Sequence, residues 1–198
     1  VSKAISSLLE DEKEQAAKSI KEINHLYPIK ITRSITKAKN WLREKARGSE
    51  RYGLLVSSGA RRLKPLGLFA GIVSEKDSPN WFLNNPDDIR SSYALEDPAT
   101  EFQVQGLELD WAGIIWDGDL IKSKSNWLYK SFKGTKWMNI NKLIDQKYKL
   151  NAYRVLLTRA RQGMVIVIPE GDEKDPTRQN KIYDPTWEYL KNIGIEVI

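Results

Sequence analysis

Four stretches of the chain carry side chains whose type and spacing suit chemistry on an anion. The first is Asn151–Pro169, NAYRVLLTRARQGMVIVIP, with Tyr153, Arg154, Thr158, Arg159 and Arg161. Read as a helix over Leu150–Arg161, it places Arg154, Thr158 and Arg161 at i, i+4 and i+7 on one face and turns Arg159 to another side. It then breaks at Gly163 into an apolar strand, Met164–Ile168. A guanidinium is planar, forked and permanently charged, so one held where a helix meets a buried strand suits a phosphoryl group. The same residues are also what an ordinary solvated basic helix face would show.

The second stretch is Thr100–Asp117, TEFQVQGLELDWAGIIWD. A strand over Thr100–Val104 puts Gln103 and Gln105, two apart, on one face. Gly106 then allows a close backbone approach or a positive φ, and the acceptor-only carboxylate of Glu108 suits a ribose hydroxyl. A strand, a turn and a strand with solvent-facing polar groups would read the same way. The third is Ser57-Ser58-Gly59-Ala60-Arg61-Arg62. Small polar residues at a strand end and two arginines at the start of a helix make an anion cradle, the arginines opposing the helix dipole unless an anion is bound. Ordinary surface charge is the competing reading. The fourth is Asp117 and Asp119, a carboxylate pair after a strand. Asp-Gly-Asp is a common turn as well as a metal motif, and no metal site is expected here.

Composition bounds the chemistry further. The chain has 198 residues, 32 Lys+Arg against 26 Asp+Glu, and a formal charge of +6. That excess permits nucleic acid without requiring it. There is no cysteine, so thiolate metal sites and disulfides are excluded, and the single His25 cannot build a histidine-rich centre. No apolar run approaches the ~20 residues of a membrane span, and the charged N-terminus does not read as a signal peptide, so a cytoplasmic setting and no membrane partner are expected. Seven Trp and eight Tyr suit core and rim packing, with one or two free to stack on bases.

The elements that must position these residues follow from pattern. Residues 2–26 read as one amphipathic helix ended by Tyr27-Pro28, Ile29–Thr32 as a strand, and Thr36–Arg47 as a helix closed by Gly48. Tyr52–Ser57 reads as a strand buried on both faces, followed by a short basic helix over Arg61–Leu66. Residues 74–98 carry turn chemistry, and 118–137 read as an insertion or hairpin. A helix from Asn139 to Asp145, a lysine-rich joint and the helix Leu150–Arg161 come next. The chain closes with a helix over Pro185–Asn192, Gly194 as its cap, and a strand Glu196–Ile198. Strands alternating with helices predict an α/β layer fold with a mainly parallel sheet.

Taken together, the stretches resemble the second motor domain of a superfamily-one helicase. TEFQVQGLELD resembles motif V of that group, YRVLLTRA (Tyr153–Ala160) motif VI, and LLVSSGARR (Leu54–Arg62) motif IV, all in the family's order. With the later DPTR (Asp175–Arg178), the wording over about residues 50–198 is similar to the DUF2075 family, the Schlafen group 3-like DNA/RNA helicase/ATPase domain.

The resemblance implies a RecA-like three-layer α/β/α fold. It implies a lead-in over 1–48 and the motor domain over 49–198, with insertions at about 74–98 and 118–137. Arg159 would be the arginine finger on the γ-phosphate, and Arg62 a second arginine on it, with Arg61 the alternative. Glu108 would meet the nucleotide sugar, and Gln105 and Gly106 would line the interdomain cleft. Thr100, Phe102, Arg154 and Thr158 would contact nucleic acid, Phe102 standing where the family usually has histidine.

No G-x-x-x-x-G-K-[ST] occurs in the sequence, and that motif is what cradles ATP phosphates in such motors. The expectation is therefore a C-terminal fragment, inactive alone. ATP and Mg²⁺ would be held by an N-terminal RecA-like domain of the same protein, with DNA or RNA as the second partner. Two alternatives are a non-catalytic nucleic-acid-binding module, and a metal-dependent nuclease resting on Glu108, Asp110, Asp117 and Asp119. The nuclease needs a lysine beside the carboxylate pair.

Overall fold

The computed structural model describes residues 1–71, 73–74 and 76–198. Six strands form one sheet in the order β3-β2-β4-β8-β1-β9, and every pairing in it is parallel. The strands are β1 (Ile29–Thr32), β2 (Tyr52–Val56), β3 (Ala99–Thr100), β4 (Leu109–Ile115), β8 (Ala160–Val167) and β9 (Glu196–Val197). A parallel sheet needs both faces covered, and the side-chain period of two sends alternate residues to opposite layers. On β8, Met164 and Ile166 join one core with Ile5, Leu8, Tyr153 and Leu190, while Val165 and Val167 join the other with Ala38, Trp41 and Leu42.

The first layer holds α1 (Ser2–Leu9), α2 (Lys13–Ile23), α5 (Leu143–Leu157) and α6 (Asn180–Asn192); the second holds α3 (Ile35–Lys45). Residues 1–48, set apart by sequence as a helical lead-in, supply β1 between β8 and β9, together with part of the first core. After β4 the chain forms a second, antiparallel sheet, β5 (Leu120–Lys122), β6 (Trp127–Lys133) and β7 (Lys136–Asn139), where the sequence predicts an insertion. Trp116 stacks on Trp127 at 5.7 Å and packs against Tyr153 at 4.3 Å, anchoring that sheet to the core. Residues 74–98 are largely irregular but hold α4 (Ser78–Leu83).

Several predicted elements differ in ways that bear on the site. The helix over 2–26 is two, broken at Asp11, whose φ is +62° and whose carboxylate pairs with the buried Lys122 at 3.1 Å. The basic helix after Ser57 shrinks to one 3-10 turn, Lys64–Leu66, so Arg61 and Arg62 lie in a loop with no helix dipole to oppose. The strand at Thr100 ends there. Residues 101–106 coil into turns held by the Thr100 carbonyl, which accepts from Gln103 and Val104 N–H, so Gln103 and Gln105 share no strand face.

The two helices predicted around a lysine-rich joint are one continuous α5, and it stops at Leu157 rather than Arg161. The cause is tertiary: Leu109 N–H donates to the Arg159 carbonyl at 2.9 Å, and Ala160 pairs with Leu109, so β8 starts early. Arg161 and Gly163 are therefore strand residues, and Arg154, Thr158 and Arg161 share no helix face. The last helix begins at Asn180 and carries Pro185 inside it rather than at its start.

Candidate nucleotide and nucleic-acid interface

Because all six strands run the same way, the sheet has a carboxyl edge and an amino edge, and the candidate residues divide between them. Ser57 follows β2 and Asp117 and Asp119 follow β4, all at the carboxyl edge. Both carboxylates are buried. Asp119 accepts from Ser57 Oγ at 2.6 Å and Lys149 Nζ at 2.7 Å on one oxygen, and from Tyr153 Oη at 2.6 Å on the other. Asp117 accepts from Gly118 N–H at 2.7 Å and Tyr183 Oη at 3.0 Å on one oxygen, and from Arg62 N–H at 2.8 Å on the other. Gly59 makes room for this: a Cβ there would stand 2.1 Å from Lys149 Nζ and 2.7 Å from Asp119 Oδ2.

Burial, reinforced by the charge of Asp119, pushes the Asp117 carboxyl up to about 7. Burial and Asp119 also push the Tyr153 phenol well above its usual range. Every carboxylate oxygen here is filled by a protein donor, so the pair is a packed polar knot and not a set of open ligands. No group of three or more His, Cys, Asp or Glu is placed to hold a metal among the described residues. The lysine that a nuclease would need does reach Asp119, yet it arrives as a buried ion pair. Lys149 was missed by sequence reasoning. Its signal was there, since it precedes Tyr153 by four residues and so shares its helix face.

Arg62 belongs to the same edge. Its Nε donates to Thr177 Oγ1 and its Nη2 to Asp175 Oδ2, both at 2.6 Å, and its guanidinium lies 5.2 Å from the Phe132 ring centre. Hydrogen bonds from Thr177 and from the two arginines hold the Asp175 carboxyl well below the usual carboxylate range. The DPTR stretch is thus the partner of Arg62, and Trp137 Nε1 donates to the Thr177 carbonyl at 2.8 Å to tie in the second sheet. Arg61 beside it is exposed.

The other residues gather along the segment from Thr100 to Glu108, which crosses from the carboxyl edge back to the amino edge. A groove of about 620 Å³ lies between this segment and α5, with Ser58 and Lys149 toward the carboxyl edge and Gln105 and Val155 among its other lining residues. Phe102 lines it and is 67% exposed. Thr100 is buried, its N–H and hydroxyl both turned to Gln103 Oε1. Gly106 has the positive φ the sequence predicts, +82°. Glu108 is exposed, 4.0 Å from Arg161.

Arg159 sits half-buried where α5 passes into β8. Its Nε donates to the Val155 carbonyl at 3.1 Å and its Nη1 to the Val104 carbonyl at 3.4 Å, bridging the helix and the crossover. Among the described residues it has no carboxylate partner, whereas Arg33, Arg62, Arg154 and Arg178 each have one. Arg154 reaches back to Glu10 at 3.1 Å and Asn151 at 2.5 Å, tying α5 to the end of α1. The Thr158 hydroxyl is spent on the Arg154 and Val155 carbonyls.

The structure therefore brings Phe102 and Gln105 into one groove and places Arg159, Gly106 and Glu108 at its amino-edge end. It does not bring Arg62 to Arg159. From Leu109 to Asp117 the chain advances about 25 Å at ~3.3 Å per strand residue, beyond the joint reach of two arginine side chains. The expectation that both arginines grip one phosphate is corrected on that ground.

A parallel sheet sandwiched between helical layers, with polar loops at both strand edges, is a three-layer α/β/α fold of RecA-like type. The family model described as Schlafen group 3, DNA/RNA helicase domain, matches residues 1–170, and the chain belongs to that family. The match starts at residue 1, further toward the N-terminus than the motif resemblance over 50–198, and it is to the Schlafen group 3 domain rather than to the DUF2075 family. No curated protein and no solved structure matches the chain. Among the described residues no helix is long and apolar enough to cross a membrane.

Proposed function

We propose that this chain is the second RecA-like domain of an ATP-dependent superfamily-one DNA or RNA helicase or translocase. In this reading it supplies an arginine finger and nucleic-acid contacts to a site completed by another domain. The observation that carries the reading is Arg159, a half-buried guanidinium oriented by two uncharged carbonyls and left without a counter-charge. Holding a cation so costs solvation, and an incoming phosphate restores the missing partner. The permanent charge and planar fork of arginine stabilise charge that develops on a transferring phosphoryl group.

Glu108, at the same edge and exposed, accepts from a nucleotide sugar, with Gly106 giving close backbone approach. Phosphates and Mg²⁺ are held by a partner RecA-like domain, because this sequence has no phosphate-cradling glycine loop. Cleft closure brings Arg159 to the γ-phosphate, and opening withdraws it. Arg62, saturated by Asp175 and Thr177, serves instead as the anchor of the Asp172–Arg178 loop and the second sheet.

Nucleotide turnover tests this directly. The purified 198-residue chain is expected to hydrolyse no ATP. Joined to the domain that carries the glycine loop, it is expected to give turnover stimulated by single-stranded nucleic acid. Clear ATP hydrolysis by the chain alone overturns the division of labour.

A further inference from the structure

Phe102 and Tyr148 are two large aromatic side chains left mostly outside the core, at 67% and 66% exposure, and they line the same groove. They come from different elements, Phe102 from the crossover after β3 and Tyr148 from the second turn of α5. Between these elements stand two side-chain amides, Gln105 and Asn151. Neither a folding role nor the mechanism above uses Tyr148. Leaving both rings in water forgoes the burial that ordinarily stabilises an aromatic.

We propose that this groove takes an unpaired nucleobase of single-stranded DNA or RNA, stacked on Phe102 and Tyr148, with Gln105 and Asn151 hydrogen-bonding its edge. The inference rests on the nucleic-acid reading above and names the site and the strandedness within it. Stacking uses the π face common to all bases, and an amide offers both donor and acceptor, so the site grips without strict sequence choice.

Charge decides which part of the nucleotide enters. Glu101 and Asp145 line the groove against one cation, Lys149, which is already paired with Asp119. Glu101 is committed to Ser58, accepting from its N–H and hydroxyl. A lining with this balance repels a phosphate and accepts an uncharged ring. Exposed Lys142 and Lys147, on the same two turns of α5, are available to the flanking phosphates. A duplex, whose bases are stacked and paired, cannot present a ring to the groove without unpairing. A protein partner seated on exposed rings is the competing occupant, but two amides and two carboxylates between the rings suit a base edge better than an apolar anchor.

The test is fluorescence anisotropy with the 198-residue chain and a labelled single-stranded oligothymidylate, an abasic strand of equal length, and a duplex. Stacking contributions per base set the expected loss for Phe102→Ala or Tyr148→Ala at about 5-fold to 100-fold on the thymidylate strand. No loss is expected on the abasic strand, and the slope of affinity against salt should not change, because no charge is removed. Tyr148→Phe should bind as the wild type. Both rings are two-thirds exposed, so the variants keep the fold, which circular dichroism checks.

If the wild type binds the strand and the alanine variants bind equally well, the stacking site is wrong while the nucleic-acid reading stands. Equal losses on the thymidylate and abasic strands would likewise refute stacking. If the wild type binds no single strand at all, both fall, and a protein partner is the better occupant of the rings.

Discussion

The two edges of the sheet are built on opposite principles. At the carboxyl edge, Asp117, Asp119, Ser57, Lys149, Tyr153 and Tyr183 satisfy one another in a buried cluster, and Arg62 is closed off by Asp175 and Thr177. At the amino edge and along the crossover groove, groups are left open: Arg159 has no carboxylate, Glu108 has only a distant exposed partner, and two aromatic rings face water. A saturated polar cluster specifies structure, because any unmatched buried group is costly. An unsaturated one is where a ligand gains most. Residue type alone does not separate the two, since both edges hold arginines, carboxylates and glycines. The difference lies in whether the partner is already present.

That contrast can be broken first through Lys149. Removing one member of a buried ion pair leaves the other uncompensated, so Lys149→Met should lower unfolding free energy by about 3–5 kcal/mol, read by urea unfolding. A loss near zero would mean that the carboxyl-edge cluster is not what holds this edge.

A smaller effect is the pH dependence of the same cluster. The Asp117 carboxyl is pushed up to about 7 in the fold, against about 3.9 in an unfolded chain. Between those values the folded chain keeps a proton that the unfolded chain releases. The relative stabilisation is then complete below about pH 4 and is lost as pH rises through about 7. The urea midpoint should fall between pH 5 and pH 8, and Asp117→Asn should flatten that fall. A midpoint that rises over this interval would contradict the burial argument.

Smallest is the exposed pair at the other edge. Glu108→Ala or Arg161→Ala should change stability by less than about 0.5 kcal/mol, as exposed ion pairs do, while Glu108→Ala weakens nucleotide binding in the two-domain protein. A stability loss comparable to that of Lys149→Met would erase the distinction between the edges.

Much of this fold was legible in the sequence, and the failures share a cause. The apolar runs at Ile29–Thr32, Tyr52–Val56 and Ala112–Ile115 are strands because a sheet covered on both faces leaves continuous hydrophobic segments. The end of α5 was misread because helical spacing continues to Arg161, and only pairing with β4, fifty residues away in sequence, converts Ala160–Gly163 to strand. Thr100–Val104 has strand-like alternation, yet the turn that satisfies the Thr100 carbonyl ends the strand after two residues. The candidate arginines were visible, but their partners were not: Asp175 lies 113 positions from Arg62, and no local pattern announces that contact. Motif order indicated a motor domain and family membership agrees, while the sorting of residues into closed and open edges needed three dimensions.

The account turns on Arg159 and Arg62 doing different work, so the most direct measurement is ATP turnover by the two-domain protein with Arg159→Ala and Arg62→Ala assayed side by side, alongside urea unfolding of each. Arg159→Ala should lower turnover by about a thousandfold or more, the scale of an arginine finger, while nucleotide affinity and the unfolding midpoint stay near wild type. Arg62→Ala should lower the midpoint and, while folded, keep turnover within a few-fold. Near-normal turnover in Arg159→Ala, or an equal collapse in a fully folded Arg62→Ala, would contradict the account.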